Sequence, residues 1–302
     1  MREALLVAAA LATLAAGLRA APRGRALAVV GTLATLAAFA AGAFLPSAPP
    51  PRTGCLVYAG TLLAKLAALG RAPHRLGLAR GLVYLLAFPG LEPGRAFVRD
   101  PRARRGAGLA SLGVGLAQVA GAFAVAAAAD RAGVLAAGPY PAAWARMASL
   151  LLLLDGAFRA TRGALVACGC AAETLSRAPW AASDLADFWG RRWNLLVART
   201  LSADVYGPVR AVAGRVVGVL AAFLVSGVYH EALFSLPTSG PAGAPTAFVL
   251  LPGAAILATR GRALRRRPAR ARAVAWAVFL ASAPLFFGGA YPAAAPLEHV
   301  GR

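Results

Sequence analysis

His230 and Glu231 stand side by side within the apolar run AAFLVSGVYHEALF, residues 221–234. Ionisable side chains are costly in such a setting, so they mark a site with a partner. An imidazole there can take up or relay a proton. On a helix Ser226 lies four residues before His230 on the same face, placed to orient the ring, and Gly227 leaves room beside it. Glu231 points about 100° away, toward another partner.

A second group of residues precedes it. ADFWGRRWNLLVART, residues 186–200, gathers two Trp, three Arg, an Asp and the chain's single asparagine, Asn194. Ser183 can cap a helix here whose first turn holds Asp184 and Asp187, both favourable at the positive end of the dipole. Such a helix makes Asp187 and Arg191 i,i+4 partners and puts Trp189 above Trp193, one charged ridge beside one aromatic ridge. Interfacial tryptophans on an amphipathic surface helix are ordinary. A lone asparagine in a chain that otherwise avoids it asks for a further role.

The elements that must position these groups are membrane helices. The chain has 302 residues, is 59% hydrophobic and only 14% charged, where soluble domains carry roughly a quarter charged residues. Apolar runs at 4–18, 26–45, 54–70, 107–129, 144–160, 212–235, 246–259 and 273–290 predict about eight spans, within a range of seven to nine. The first is read as a retained helix rather than a cleaved leader. The stretch 76–98, broken by Pro89 and Pro93, reads as re-entrant or interfacial.

The net charge of +21 is nearly all arginine and falls between the apolar runs, which argues for membrane orientation and against nucleic-acid binding. Segments 19–25, 71–105, 159–215 and 260–272 hold 26 arginines, and the alternate side holds five. That asymmetry places the arginine-rich segments, 159–215 among them, in the cytoplasm and both termini outside. The basic stretch 261–272 suits contact with anionic lipid. Asp155, inside a span, either pairs with Arg159 or lines a cavity. His74 and His299 lie in a loop and a tail and are assigned no role. Cys55, Cys168 and Cys170 have no zinc-ligand pattern and read as small apolar filler, so no metal is expected.

DFWGRRWN (187–194), VYGPVR (205–210) and FLVSGVYHEALF (223–234) together resemble the wax synthase branch of the membrane-bound O-acyltransferases. YLLAFPGLEPGRAF (84–97) is similar to that branch's Pro-Gly segment, with Phe in place of the expected Trp. The resemblance spans roughly 84–235, within a single membrane domain covering 1–302. It implies an all-α multi-pass fold enclosing an intramembrane chamber, with acyl-CoA entering from the cytoplasm and a lipophilic alcohol from the lipid. The family's essential His falls on His230 and its motif Asn on Asn194.

On that resemblance His230 is the base, and transfer is direct with no acyl-enzyme and no cofactor beyond acyl-CoA as co-substrate. Asn194 donates to the oxyanion or orients the thioester, and Arg191 and Arg192 meet coenzyme A phosphates. Asp187, Trp189, Trp193, Ser226 and Glu231 complete the substrate-binding set. The acceptor is a long-chain alcohol first, with a terpenoid, sterol or other secondary-metabolite hydroxyl and a short acyl donor as the alternative. A proton-coupled transporter using Asp155 and His230 is the competing class. With Asn194 at the cytoplasmic surface and His230 about 20 residues up a helix, the two stand about 30 Å apart, so either the chamber funnels inward or the motif dips into the membrane.

Overall fold

The structure is a computed structural model and describes residues 2–44, 49–72, 75–86, 99–238, 242–259 and 267–288. Helices account for nearly all of it, and among the described residues the only β pairing is an isolated bridge between Arg99 and Cys170. In chain order the helices are α1 (Arg2–Ala20), α2 (Arg25–Phe44), α3 (Pro49–Arg71), α4 (Leu78–Leu86), α5 (Arg105–Arg131) and α6 (Pro139–Ala167). After a long connection come α7 (Leu185–Asp187), α8 (Leu195–Leu201), α9 (Gly207–Thr238), α10 (Ala244–Ala258) and α11 (Pro268–Phe287).

Every expected span falls on a helix. Six helical stretches are long and apolar enough to cross a bilayer: Glu3–Arg23, Arg25–Phe44, Pro51–Arg71, Arg105–Arg131, Leu195–Phe234 and Ala269–Phe287. The other two expected spans differ for physical reasons. Span 144–160 lies on α6, where Arg146, Asp155, Arg159 and Arg162 interrupt the apolar run. Span 246–259 lies on α10, whose 15 residues rise only about 22 Å against a hydrocarbon core of about 30 Å. Large apolar side chains point outward, Leu11, Leu14 and Leu18 on α1 and Leu220, Leu224 and Val228 on α9 among them. That is the arrangement expected where lipid is the solvent.

The chain divides into two compact units, one of residues 1–119 and 154–174, the other of 120–153 and 175–302. In the first, α1, α2, α3 and α4 bury Ala16, Ala20, Leu27, Leu62, Leu66, Leu69, Tyr84 and Leu85. The single lysine, Lys65, is fully buried among them. Its Nζ donates to the carbonyls of Tyr84 at 2.7 Å and Leu85 at 3.2 Å. It thereby satisfies orphan acceptors at the end of α4 where no water reaches them. Of the stretch 76–98, α4 is a short helix in this core, and 87–98 lie outside the described residues, as do His74, 260–266 and 289–302.

In the same unit residues 105–119 of α5 and 154–167 of α6 run antiparallel along a seam of small residues. A Cβ on Gly108 would strike the backbone of Ala167, one on Gly115 that of Ala160, and one on Gly163 that of Leu112. Beside the seam Asp155, 1% exposed, accepts from Gln118 Nε2 at 2.8 Å and faces Arg159 Nη2 at 3.6 Å. Of its two expected fates, Asp155 takes the pairing with Arg159.

Candidate active site

The motif residues and His230 all belong to the second unit. The motif is not one amphipathic helix. Asp184 rather than Ser183 is the N-cap, its side chain accepting from the Asp187 N–H at 2.7 Å. After α7 the chain widens into a π-helical turn, Phe188–Arg192, and breaks at Trp193, which is extended. Asn194 then takes the left-handed conformation, φ 41° and ψ 65°, and caps α8, its Oδ1 accepting from Val197 N–H at 3.4 Å. Asparagine is among the few side chains that tolerate that backbone and leads the N-cap preferences, so a local role explains why this residue type stands here. Its Nδ2 has no hydrogen-bond partner among the described residues.

Asp187 organises the turn. Its Oδ2 accepts from the Ser183 N–H at 2.9 Å and hydroxyl at 3.2 Å, and from Arg192 Nε at 2.7 Å, while Oδ1 accepts from Arg191 Nε at 3.0 Å. Burial by itself would raise its pKa. The Ser183 N–H, the Arg192 hydrogen bond and the charges of Arg192 and Arg191 outweigh burial and hold it down to about 2. The two arginines then part company. Arg192 also donates to the Arg177 carbonyl at 3.2 Å, which ties it into the fold. Arg191 leaves its side chain 70% exposed.

The expected Trp189–Trp193 ridge is replaced by a cluster on Phe188. Its ring meets Trp189 at 5.0 Å, Trp193 at 6.0 Å, Trp276 at 6.2 Å and Phe279 at 5.0 Å. The break at Trp193 turns that indole away from the course of an i,i+4 neighbour. Opposite the break, Leu175 and Arg177 pair their main chains with Leu195 and Arg192 at 2.8 Å each. Ser176 between them is buried with a hydroxyl that has no partner among the described residues, and nothing in the sequence singled it out.

His230 is oriented by the Ser226 main chain rather than by its hydroxyl. Nδ1 lies 2.7 Å from the Ser226 carbonyl. A carbonyl only accepts, so the proton of the neutral ring is on Nδ1 and Nε2 is left basic. The ring packs against Phe286 at 5.5 Å and Tyr229 at 5.9 Å. Gly227 makes room for α10 rather than for the imidazole, since a Cβ there would press on Thr246. Glu231, buried, accepts from the Thr246 hydroxyl at 3.1 Å and N–H at 3.4 Å, a carboxylate on the first turn of α10.

Two features bring motif and histidine toward each other. Gly214, at φ 82° and ψ 174°, breaks α9 between the motif and the histidine. Trp189 of the motif meets Phe223 of α9 at 6.2 Å, and Phe223 precedes His230 by two turns, about 10 Å of rise. A second route runs through rings alone: Phe188 to Phe279 at 5.0 Å, Phe279 to Phe248 at 5.8 Å, Phe248 to Phe286 at 5.0 Å, Phe286 to His230 at 5.5 Å. The motif is thus in contact with apolar rings of α9 and α11. Phe223, Phe248, Phe279 and Phe286 were missed from sequence, although the seven-residue spacing of Phe279 and Phe286 marks one face of α11.

Capping turn, arginine pair and histidine all lie within one stretch that aligns with known proteins. Residues 172–251 match the membrane bound O-acyl transferase family. The chain is also similar to named plant proteins. A probable long-chain-alcohol O-fatty-acyltransferase 7 of Arabidopsis thaliana is 44% identical over 115 residues, covering 34% of this chain and 34% of the relative. A probable long-chain-alcohol O-fatty-acyltransferase 3 of the same plant is 48% identical over 99 residues, 30% of this chain and 29% of the relative. The long-chain-alcohol O-fatty-acyltransferase of Simmondsia chinensis is 43% identical over 84 residues, 25% of this chain and 24% of that one. The alignments thus span about a third or less of the length of these relatives.

Proposed function

We propose that the protein is a membrane-embedded acyltransferase that moves an acyl group from acyl-CoA to the hydroxyl of a lipophilic alcohol, a long-chain alcohol first of all. The observation that carries the reading is the state of His230. Its ring is locked through Nδ1 with Nε2 left basic, in the stretch that matches the membrane bound O-acyl transferase family.

In this mechanism Nε2 takes the alcohol proton as the oxygen attacks the thioester carbonyl carbon. The negative charge passes to the carbonyl oxygen of a tetrahedral intermediate, where the open Nδ2 of Asn194 donates. Collapse breaks the C–S bond, and the departing thiolate takes the proton back from the imidazolium. No acyl-enzyme forms, because an apolar chamber keeps water from competing with the alcohol. Arg191, with its terminal nitrogens outward, meets coenzyme A phosphates, and Arg192 with Asp187 holds the turn. Trp189, Trp193 and the ring series toward Phe286 line the acyl path. Ser226 and Glu231 act from behind, fixing the imidazole and the start of α10. The motif faces the cytoplasm of a cell membrane, with both termini outside.

The test is product formation. Membranes holding the protein are incubated with labelled acyl-CoAs of several lengths and a panel of long-chain, terpenoid and sterol alcohols, beside a His230→Ala preparation. Ester from the wild type alone is the expected result, and the alcohol consumed names the acceptor. Equal ester from both preparations would remove His230 as the base.

A further inference from the structure

We propose that Arg159 and Arg162 of α6 form a binding site for a phosphate group at the membrane surface, apart from the motif. They lie three residues apart on one flank of α6, beside the small-residue seam of Gly156, Ala160, Gly163 and Ala167. Arg162 has no hydrogen bond or ion pair among the described residues, and its Nε is shut away from solvent. Arg159 Nε is likewise shut away and unpartnered, and its Nη2 stands 3.6 Å from Asp155, beyond hydrogen-bonding range. Asp155 thus faces Arg159 alone, and among the described residues no carboxylate faces Arg162, which leaves a net positive charge and two orphan donors. Such a cation in an apolar helix calls for an anion.

The depth of the pair says which anion. α5 has 27 residues, about 40 Å, and so overshoots a hydrocarbon core of about 30 Å at both ends. Gly163 packs against Leu112, which puts Arg162 about 10 Å inside the level of Arg105. Long arginine stems reach from there to the headgroup layer. Around that end, segments 99–105 and 168–174 add four arginines against Asp100 and Glu173. A phosphate accepts the planar fork of an arginine through two oxygens, which a lone chloride cannot match. At a membrane surface that phosphate comes from a phospholipid headgroup or from coenzyme A.

The full-length protein in dodecyl maltoside is titrated with phosphatidylglycerol, with diacylglycerol of the same chains, and with free coenzyme A, following the rise in unfolding temperature. Arg162→Ala and Arg162→Gln are compared with wild type and with Arg131→Ala at the opposite end of α5. A phosphate site makes phosphatidylglycerol or coenzyme A protect wild type and Arg131→Ala, with both Arg162 variants about tenfold weaker. Protection by phosphatidylglycerol alone names the lipid as the source, and protection by coenzyme A alone names the thioester. Equal protection of all four proteins overturns the site. So does protection by diacylglycerol matching that by phosphatidylglycerol, or none by any ligand.

Discussion

At the scale of single residues, substitutions can separate the cap that Asn194 makes from the role proposed for its amide. Glycine accepts φ 41° and costs a helix N-cap only a few tenths of a kcal/mol, whereas alanine loses the cap and strains the backbone. Asn194→Ala should lower stability by about 2 kcal/mol. Asn194→Gly should unfold close to wild type yet form little ester, which thermal unfolding and the labelled-ester assay read separately. If Asn194→Gly keeps full activity, the amide is a cap and nothing more. Asp187 predicts an acid response. Its folded pKa of about 2 lies below the ordinary carboxylate value, so its contribution is whole above about pH 4 and is lost as pH falls through 2. Tryptophan emission from the Phe188 cluster should change over that interval and stay flat in Asp187→Asn. Asp187, Arg191 and His230 were legible in sequence because charge in an apolar chain is conspicuous. Ser176 was not, because a serine hydroxyl gives no signal until its neighbours are known.

Among the elements, glycine decides how closely and in what direction helices run. Gly163 lies against the backbone of Leu112, so Gly163→Leu should separate α5 from α6 and destabilise the protein by about 2–3 kcal/mol, read as a lower midpoint in denaturant. Gly214, at φ 82° and ψ 174°, occupies a region of backbone space used almost only by glycine. Gly214→Ala should straighten α9, carry His230 away from the motif and remove activity with little loss of helix content by circular dichroism. Helix positions followed from apolar periodicity. The break inside 184–200 did not, because it goes with main-chain bonds that the flanking Arg192 and Leu195 make to Arg177 and Leu175, residues outside the segment.

Over the whole molecule, the arginine asymmetry predicts that Cys168, exposed at the end of α6, lies on the cytoplasmic side. With Cys55 and Cys170 changed to serine, an impermeant maleimide should label Cys168 in inverted vesicles and leave right-side-out ones unlabelled. What the sequence by itself determined is the class. A chain this apolar, with arginine confined between runs of about 20 residues, satisfies its backbone only as membrane helices. It also marked His230 and the motif, since a polar group placed where solvation is lost must have a use. The tertiary structure alone decided their surroundings: the proton on Nδ1, the different partners of Arg191 and Arg192, and the contact of Trp189 with Phe223. Each depends on atoms distant in sequence, a carbonyl to accept, a carboxylate to share, a ring to lean on, and composition and periodicity carry no record of which atoms those are.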